Sequence, residues 1–309
     1  MIKKQITIKK KILFEGIGLH TGLPVKMTIV PAEINMGICF VRTDLKNSPF
    51  IKASWDNVVP ANLCTKISNQ KGVEINTIEH LMFSFYSLGI TNAVIEINGP
   101  EVPIMDGSAK IFIDKMLETG IAVQNQILKN ISIHKSFKVT DGKKFIEYQP
   151  TNKKYLEINY TLNYQDQLIK KQKFNFQDAQ NNFLDIYHCR TFCHQEDLEK
   201  IFAMGLAKGG SLDNAIVISG SKILNQEGLR CEKEFVKHKI LDCIGDLYLS
   251  GFFIHGKISC SQGGHELTCK LLNLIFSSNQ NYSVDNLNKL SNSKINSNLI
   301  FKSRIQAVV

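Results

Sequence analysis

The order of predicted strands and helices constrains this fold more than any other feature of the sequence. Apolar and polar residues alternate over residues 6–14 and 25–30, on either side of a glycine-rich loop, and this period of two is typical of β-strands. The alternation restarts over residues 131–148, where Asp141-Gly142 predicts a hairpin turn. Because each series of strands is followed by helices, we predict an α+β fold whose second domain begins near residue 127.

Two of the predicted helices share a local pattern. A histidine near the start of the helix, a glycine at its end and a strand directly after it occur over residues 80–89 and again over residues 238–251. This correspondence leaves an internal duplication open. The predicted helices span residues 77–88, 108–118, 196–206, 233–249 and 265–276, and residues 120–129 are predicted to form a linker.

The length of the chain bears on its domain count, and its basic residues bear on nucleic-acid binding. Its 309 residues suffice for about two domains, and 43% hydrophobic with 21% charged residues is typical of a globular protein. The formal net charge is +9, but only four of the 37 basic residues are arginine. Because phosphates and bases are recognised largely by the arginine side chain, we predict no nucleic-acid partner.

The distribution of apolar residues and cysteines bears on the cellular location. No uncharged apolar run approaches the roughly 18 residues of a spanning helix, so we predict no transmembrane segment and leave contact with a membrane surface open. The basic N-terminus is not followed by the apolar segment of a secretory signal. The eight cysteines include no Cys-x-x-Cys pair. We therefore expect a cytoplasmic protein without a disulfide scaffold.

The predicted helix over residues 233–249 carries the first candidate site. His238, Asp242 and Asp246 recur every four residues and share one face, because each such step rotates by only about 40° around the helix. One interpretation is a polar strip that faces solvent, since unpaired buried carboxylates are unfavourable. The other is a metal site in which His238 and Asp242 are ligands on consecutive turns. The spacing alone leaves both interpretations open.

Two further histidines are candidates for chemistry. Glu79-His80 opens an apolar helix, so a metal held by His80 would place Glu79 near a water at that metal. The alternative is an ordinary polar helix start. His265 follows two glycines at the start of another helix, where an imidazolium is disfavoured unless a carboxylate such as Asp246 compensates. A histidine exposed at the surface is the alternative there.

Nucleophile motifs are weak in this sequence. There is no G-x-S-x-G segment, which argues against a serine hydrolase. Cys189 and Cys193 have neighbouring histidines, His188 and His194, so a cysteine nucleophile stays an alternative. Among the residues nearby in sequence, only Arg190 offers a charge that would obviously favour a thiolate.

Seven segments in a fixed order resemble the zinc-dependent UDP-3-O-acyl-N-acetylglucosamine deacetylases of lipid A biosynthesis. They are GIGLHTG at 16–22, TIEHLM at 77–82, GPEVPIMDGSA at 99–109, RTF at 190–192, GGSLDNAIV at 209–217, HKILDxIGDLYL at 238–249 and GGHxL at 263–267. Such a series is far more specific than any single triad. The resemblance implies two α+β domains of similar architecture, residues 1–126 and 127–309. Each would be a mainly antiparallel sheet layered with helices, with the active site between the domains.

The resemblance also implies roles for polar residues around one Zn²⁺ ion per chain. Hydrolysis of an amide needs a strong nucleophile, stabilisation of the oxyanion and a proton for the leaving amine. Two histidines and one carboxylate hold zinc and leave a coordination position for water. The matching positions are His80, His238 and Asp242 for zinc, Glu79 for the general base, His265 for its protonated partner, Asp246 for the carboxylate that orients this partner, and Thr191 for the donor to the oxyanion.

The substrate implied by the resemblance is UDP-3-O-acyl-N-acetylglucosamine, hydrolysed to UDP-3-O-acyl-glucosamine and acetate in the committed step of lipid A biosynthesis. Gln262 stands where a cation facing the diphosphate is expected. We expect a monomer, and the alternative functions are a basic nucleic-acid-binding module and a noncatalytic partner-binding protein. The implied substrate contacts are Phe192 and Lys239 for the nucleotide-sugar, and Leu198, Gly210, Leu212 and Val217 in an insert near 193–217 for the acyl chain.

Overall fold

The fold consists of two five-stranded sheets layered with helices, together with smaller sheets. The computed structural model describes residues 4–47, 50–180 and 183–285, so residues 286–309 of the predicted second domain lie outside the described residues. The helices are α1 (Glu79–Leu88), α2 (Lys110–Thr119), α3 (Phe183–Ile186), α4 (Leu198–Ala203), α5 (Glu234–Leu247) and α6 (His265–Phe276).

The strands fall into two series along the chain. The first series is β1 (Lys4–Ile8), β2 (Ile12–Ile17), β3 (Pro24–Pro31), β4 (Ile38–Arg42), β5 (Ile51–Lys52), β6 (Val58–Val59), β7 (Lys66–Ser68), β8 (Glu74–Ile75), β9 (Ala93–Ile97) and β10 (Ile121–Ile127). The second series is β11 (Asn130–Ile133), β12 (Phe137–Asp141), β13 (Lys144–Gln149), β14 (Leu156–Asn163), β15 (Lys171–Gln177), β16 (Phe192–His194), β17 (Ile216–Ser219), β18 (Lys222–Ile223), β19 (Gly256–Ser261) and β20 (Tyr282–Asp285).

The two five-stranded sheets have the same topology. Their strand orders are β2-β3-β9-β4-β5 and β12-β13-β19-β14-β15. In each sheet the central strand runs antiparallel to one neighbour and parallel to the other, and the remaining pairs are antiparallel. The central strand follows α1 in one half and α5 in the other, and α2 or α6 comes next along the chain. The predicted α+β fold with two similar halves is confirmed, and the helix–glycine–strand pattern marks corresponding positions in them.

Helices α1 and α5 meet in the interior of the molecule. Every residue of α1 from Glu79 to Ser87 is buried, because the helix packs along α5 within one continuous core. Gly245 in α5 permits this close approach: a Cβ atom there would lie 2.1 Å from the carbonyl oxygen of Glu79. The helices that carry the predicted metal ligands are thereby held against each other.

Three local predictions differ from the structure. Residues 120–129 are not a linker, because β10 pairs with β1, with Ile121 opposite Ile8. The predicted strand over residues 6–14 is interrupted at its three exposed lysines, 9–11, so that β1 and β2 join different sheets. Helix α4 is shorter than predicted because a 3-10 turn, Gln195–Asp197, precedes it. None of the described helices has the length and apolar character needed to cross a bilayer.

Candidate active site

Three predicted metal ligands converge where α1 crosses α5. His80 is the second residue of α1, and His238 and Asp242 lie one turn apart on α5. Their side chains are buried, with relative exposures of 5%, 2% and 4%. The Nε2 atoms of His80 and His238 each lie 3.4 Å from Asp242 Oδ1. A polar strip on α5 that faces solvent is therefore excluded.

The donor atoms of these three residues fit a metal ion. Their ligand atoms all lie within 4.8 Å of one another. Asp242 Oδ1 is buried and accepts no hydrogen bond from any described residue. A buried carboxylate oxygen without a donor is unfavourable unless a cation binds it. Two imidazole nitrogens beside such an oxygen form the two-histidine, one-carboxylate set that zinc uses when a coordination position stays open.

The surroundings of the site keep its ligands in their metal-binding forms. Cys189 O lies 3.0 Å from His238 Nδ1 and can only accept a hydrogen bond, so Nδ1 carries the proton and Nε2 has a free lone pair. Burial lowers the pKa of His238 to about 3, so the ring is neutral. Lys239 Nζ donates to Asp242 Oδ2 at 2.6 Å. Although burial opposes ionisation of Asp242, the Lys239 ammonium helps to hold the pKa of this carboxyl well below its ordinary value.

Glu79 and His265 face each other beside the three ligands. Glu79 Oε1 lies 3.7 Å from His265 Nε2, which is itself 3.9 Å from Asp242 Oδ2. On the other side of the ring, His265 Nδ1 lies 2.9 Å from Asp246 Oδ2. Burial disfavours the imidazolium, but the carboxylates of Asp246 and Glu79 raise the pKa of His265 to about 9. Burial raises the pKa of Glu79. Both groups thus have perturbed pKa values, which is typical of residues that carry protons in catalysis.

Thr65, just before β7, was not predicted as a site residue and contacts three of these groups. Its hydroxyl donates to Asp246 Oδ1 at 2.5 Å and lies 3.1 Å from His265 Nδ1. Its backbone N–H donates to Glu79 Oε2 at 3.1 Å. One residue from the first half thus fixes both the Glu79 carboxylate and the Asp246–His265 pair.

His20 and Glu101 were not predicted as site residues either, although they lie in the segments GIGLHTG and GPEVPIMDGSA. His20 borders the cavity, is only 7% exposed, and neither ring nitrogen has a hydrogen-bond partner among the described residues. The buried Glu101 carboxylate accepts hydrogen bonds from the backbone of His20 and Thr21 and from the Thr77 hydroxyl. The glycine-rich loop is thereby tied to the segment that leads into Glu79.

A cavity of about 820 Å³ opens over this site and receives residues from both halves. Most of the predicted site residues line this cavity. Asp246 does not, because it is buried behind His265. Gln262 also borders the cavity, but its amide donates to Asn163 O at 2.7 Å. The predicted residues in the cavity wall are Glu79, His80, Thr191, Phe192, Leu198, Gly210, Leu212, Val217, His238, Lys239, Asp242 and His265.

The segment that carries Thr191 is anchored from behind by a buried ion pair. Arg190 is fully buried, and its Nε donates to Glu234 Oε1 at 2.9 Å. The Thr191 backbone N–H donates to Gly107 O at 2.9 Å. Phe192 follows on β16 and packs against Phe235, with ring centroids 4.9 Å apart. Thr191 and Phe192 are thus presented to the cavity from a rigid support.

Comparisons with known proteins agree with this geometry. Residues 5–277 match the family model described as UDP-3-O-acyl N-acetylglycosamine deacetylase. A UDP-3-O-acyl-N-acetylglucosamine deacetylase of Campylobacter fetus subsp. fetus is 43% identical over 287 residues, covering 93% of this chain and 96% of the relative. The same-named protein of Haemophilus ducreyi is 43% identical over 275 residues, 88% of this chain and 90% of the relative. Because the family model spans nearly the whole chain, the protein belongs to the UDP-3-O-acyl N-acetylglycosamine deacetylase family.

Proposed function

We propose that this protein is a zinc-dependent amidohydrolase that removes the N-acetyl group of UDP-3-O-acyl-N-acetylglucosamine. The products are UDP-3-O-acyl-glucosamine, a precursor of lipid A, and acetate. One observation carries this proposal: two buried histidines surround a carboxylate oxygen that no described donor satisfies, directly beside Glu79 and His265. The family match and the names of the relatives support the substrate. They give no support to a nucleic-acid-binding or noncatalytic function.

His80, His238 and Asp242 would hold the metal. When bound there, Zn²⁺ supplies a Lewis acid that polarises the amide carbonyl and lowers the pKa of a water to about 7. Glu79 takes the proton of the attacking water, since its carboxylate borders the same cavity as the three ligands. Thr191 donates a hydrogen bond to the oxyanion that forms on the carbonyl. His265, kept protonated by Asp246, stabilises the developing charge and gives a proton to the leaving amine.

Thr65 is a positioning residue in this mechanism, because it contacts Glu79, Asp246 and His265 without facing the cavity itself. We expect Thr65→Val to lower kcat about 10- to 100-fold, since a hydrogen bond to a charged group contributes about 1.5–3 kcal/mol. Steady-state kinetics should show an unchanged KM and a displaced pH profile. Thr65→Ser keeps the hydroxyl and should restore kcat; an equal loss in both variants would contradict the role.

The remaining cavity residues are proposed to bind the substrate. Phe192 and Lys239 contact the nucleotide-sugar. The Lys239 ammonium donates a hydrogen bond to the Asp242 carboxylate. Burial alone would lower the pKa of Lys239, but the charge of Asp242 outweighs burial and raises it, so the ammonium stays charged. The apolar acyl chain follows the insert near 193–217. The proposed contacts along this passage are Leu198, Gly210, Leu212 and Val217.

We extend the proposal to the organisation of the protein. Residues 1–126 and 127–309 form the two domains, with Glu79 and His80 in the first and the other ligands and His265 in the second. The protein acts as a monomer in the cytoplasm, since residues of one chain complete the site. Phe202, Met204 and Leu212 border the passage and are about half exposed, and they suit peripheral contact with the membrane in which acyl chains reside.

The function is tested by incubating zinc-loaded protein with UDP-3-O-acyl-N-acetylglucosamine. One acetate should be released for each free amine formed. A chelator should abolish the reaction and added Zn²⁺ should restore it. The matched control is the same nucleotide-sugar with its amine already free, which should release no acetate. Binding of the substrate without acetate release by zinc-loaded protein would contradict the proposed activity.

A further inference from the structure

Two cysteines meet directly behind the candidate metal centre. Cys189 follows α3 and is fully buried, whereas Cys231 lies in the segment before α5 and is partly exposed. Their Sγ atoms are 3.5 Å apart. The Cys189 thiol also lies 3.6 Å from Asp185 O in α3. The proposed hydrolysis uses neither thiol, so this pair has no role in the mechanism above.

The surroundings of Cys231 favour a thiolate. Lys237 Nζ lies 3.7 Å from its sulfur, and a ring nitrogen of His188 lies within 4.8 Å of it. The hydrogen bond with Cys189, reinforced by His188 and Lys237, lowers the pKa of the Cys231 thiol. All seven other cysteines have raised pKa values, chiefly because they are buried or, for Cys189, because of the neighbouring sulfur. A partly exposed thiol with a lowered pKa therefore lies beside a buried thiol.

We propose that Cys231 and Cys189 form a dithiol that hydrogen peroxide oxidises to a disulfide. The Cys231 thiolate attacks the peroxide, the O–O bond breaks, and a sulfenic acid forms on Cys231 while water leaves after protonation. The Cys189 thiol then loses its proton and attacks the Cys231 sulfur; the S–O bond breaks, a second water leaves and the disulfide forms. Two thiols lose two electrons to one hydrogen peroxide, which becomes two waters. A dithiol reductant reverses the oxidation by exchange.

The neighbourhood favours this redox role over a second metal site. Ligand atoms of His188, Cys189 and Cys231 do lie within 4.8 Å of one another, as in a metal site. However, the Lys237 ammonium already occupies the surroundings of the Cys231 sulfur, and a divalent cation there would be repelled by it. The asymmetry between an exposed and a buried sulfur suits an attacking and a resolving thiol instead.

Disulfide formation would reach the metal site through the backbone of Cys189. The sulfur atoms must approach from 3.5 Å to a bond length of about 2.05 Å. Cys189 is fully buried in a close-packed interior, so its backbone shares the displacement. Its carbonyl oxygen is the acceptor that orients His238 through Nδ1, at 3.0 Å. Loss of such an outer partner of a metal ligand typically costs about 10- to 100-fold in metal affinity or activity.

The test exposes zinc-loaded, full-length protein to hydrogen peroxide and maps cysteines by alkylation and peptide mass. We expect a Cys189–Cys231 disulfide, a loss of deacetylase activity of about 10- to 100-fold, and recovery of both after a dithiol reductant. Cys231→Ser should keep its basal activity and resist peroxide. Cys39→Ser is the matched control, since Cys39 is a buried thiol on β4, and it should respond as the wild-type protein does.

Three results would overturn the proposal. Peroxide could inactivate Cys231→Ser as fast as the wild-type protein, or it could leave both Cys189 and Cys231 unmodified. A second zinc ion could also be found bound to the two cysteines and protect them from oxidation. A disulfide with unchanged turnover would refute the coupling to His238. Because mass mapping scores the disulfide itself, its outcome does not depend on whether the protein proves to be a deacetylase.

Discussion

His238→Ala and Asp242→Ala are expected to lose their zinc and, with it, deacetylase activity. In each variant only two of the three ligands stay, and the metal-binding group formed by the described residues contains no fourth ligand to replace the lost one. Loss of a residue that only hydrogen-bonds to a metal ligand already lowers metal affinity or activity about 10- to 100-fold. Because loss of a ligand itself should have a larger effect, we expect activity to fall by at least about 100-fold. Elemental analysis of purified protein, beside the rate of acetate release, measures both effects.

The controls separate loss of a ligand from loss of the fold. Asp242→Ala leaves the Lys239 ammonium without its carboxylate, so Asp242→Asn, which preserves shape, should be measured as well. His134→Ala removes an exposed histidine outside the site and should keep zinc and activity. Near-stoichiometric zinc in all His238 and Asp242 variants would rule out the assignment of these ligands.

The part of the site that follows helical periodicity could be predicted from the sequence. His238, Asp242 and Asp246 recur every four residues, and this spacing alone places them on one face of α5. Whether that face was solvated or buried could not be read from α5 itself. It depends on α1, which packs on the same face because Gly245 lets the backbones approach. The resemblance to a family, rather than the local pattern, favoured the metal site.

The boundaries of helix α6 were also predictable, because the glycine pair before His265 marks its start. By contrast, no local signal identifies Thr65. Its hydroxyl meets Asp246 across 181 residues and His265 across 200, and it lies between short strands of a separate small sheet. The pairing of β1 with β10 was missed for the same reason. Sequence patterns describe local periodicity, whereas these contacts depend on how distant segments pack.

Glu79→Gln and His265→Ala are expected to keep zinc but lose rate, which separates proton transfer from metal binding. Neither side chain belongs to the set of three ligands, so elemental analysis should still find about one zinc per chain. A general acid or base typically contributes about 10²- to 10⁴-fold, and kcat should fall by that amount. Glu79→Gln preserves the shape of the side chain and its contact with the Thr65 N–H, so it tests the proton acceptor alone. Loss of zinc together with rate would instead make either residue a ligand.

The pH dependence of kcat decides the direction of each proton transfer. In the proposed mechanism Glu79 acts when ionised, and burial raises its pKa, so the rate should fall as the pH drops through that pKa. His265 acts when protonated, with a pKa raised to about 9, so the rate should fall again as the pH rises through it. Asp246→Asn removes the largest charge that raises the His265 pKa, and the basic limb should move to lower pH. Zinc is bound both in the wild-type protein and in Asp246→Asn, so its charge does not change the direction in which the His265 pKa shifts. A basic limb that stays in place in Asp246→Asn, with an unchanged amplitude in His265→Ala, would remove His265 from the mechanism and leave Glu79 as the single proton carrier.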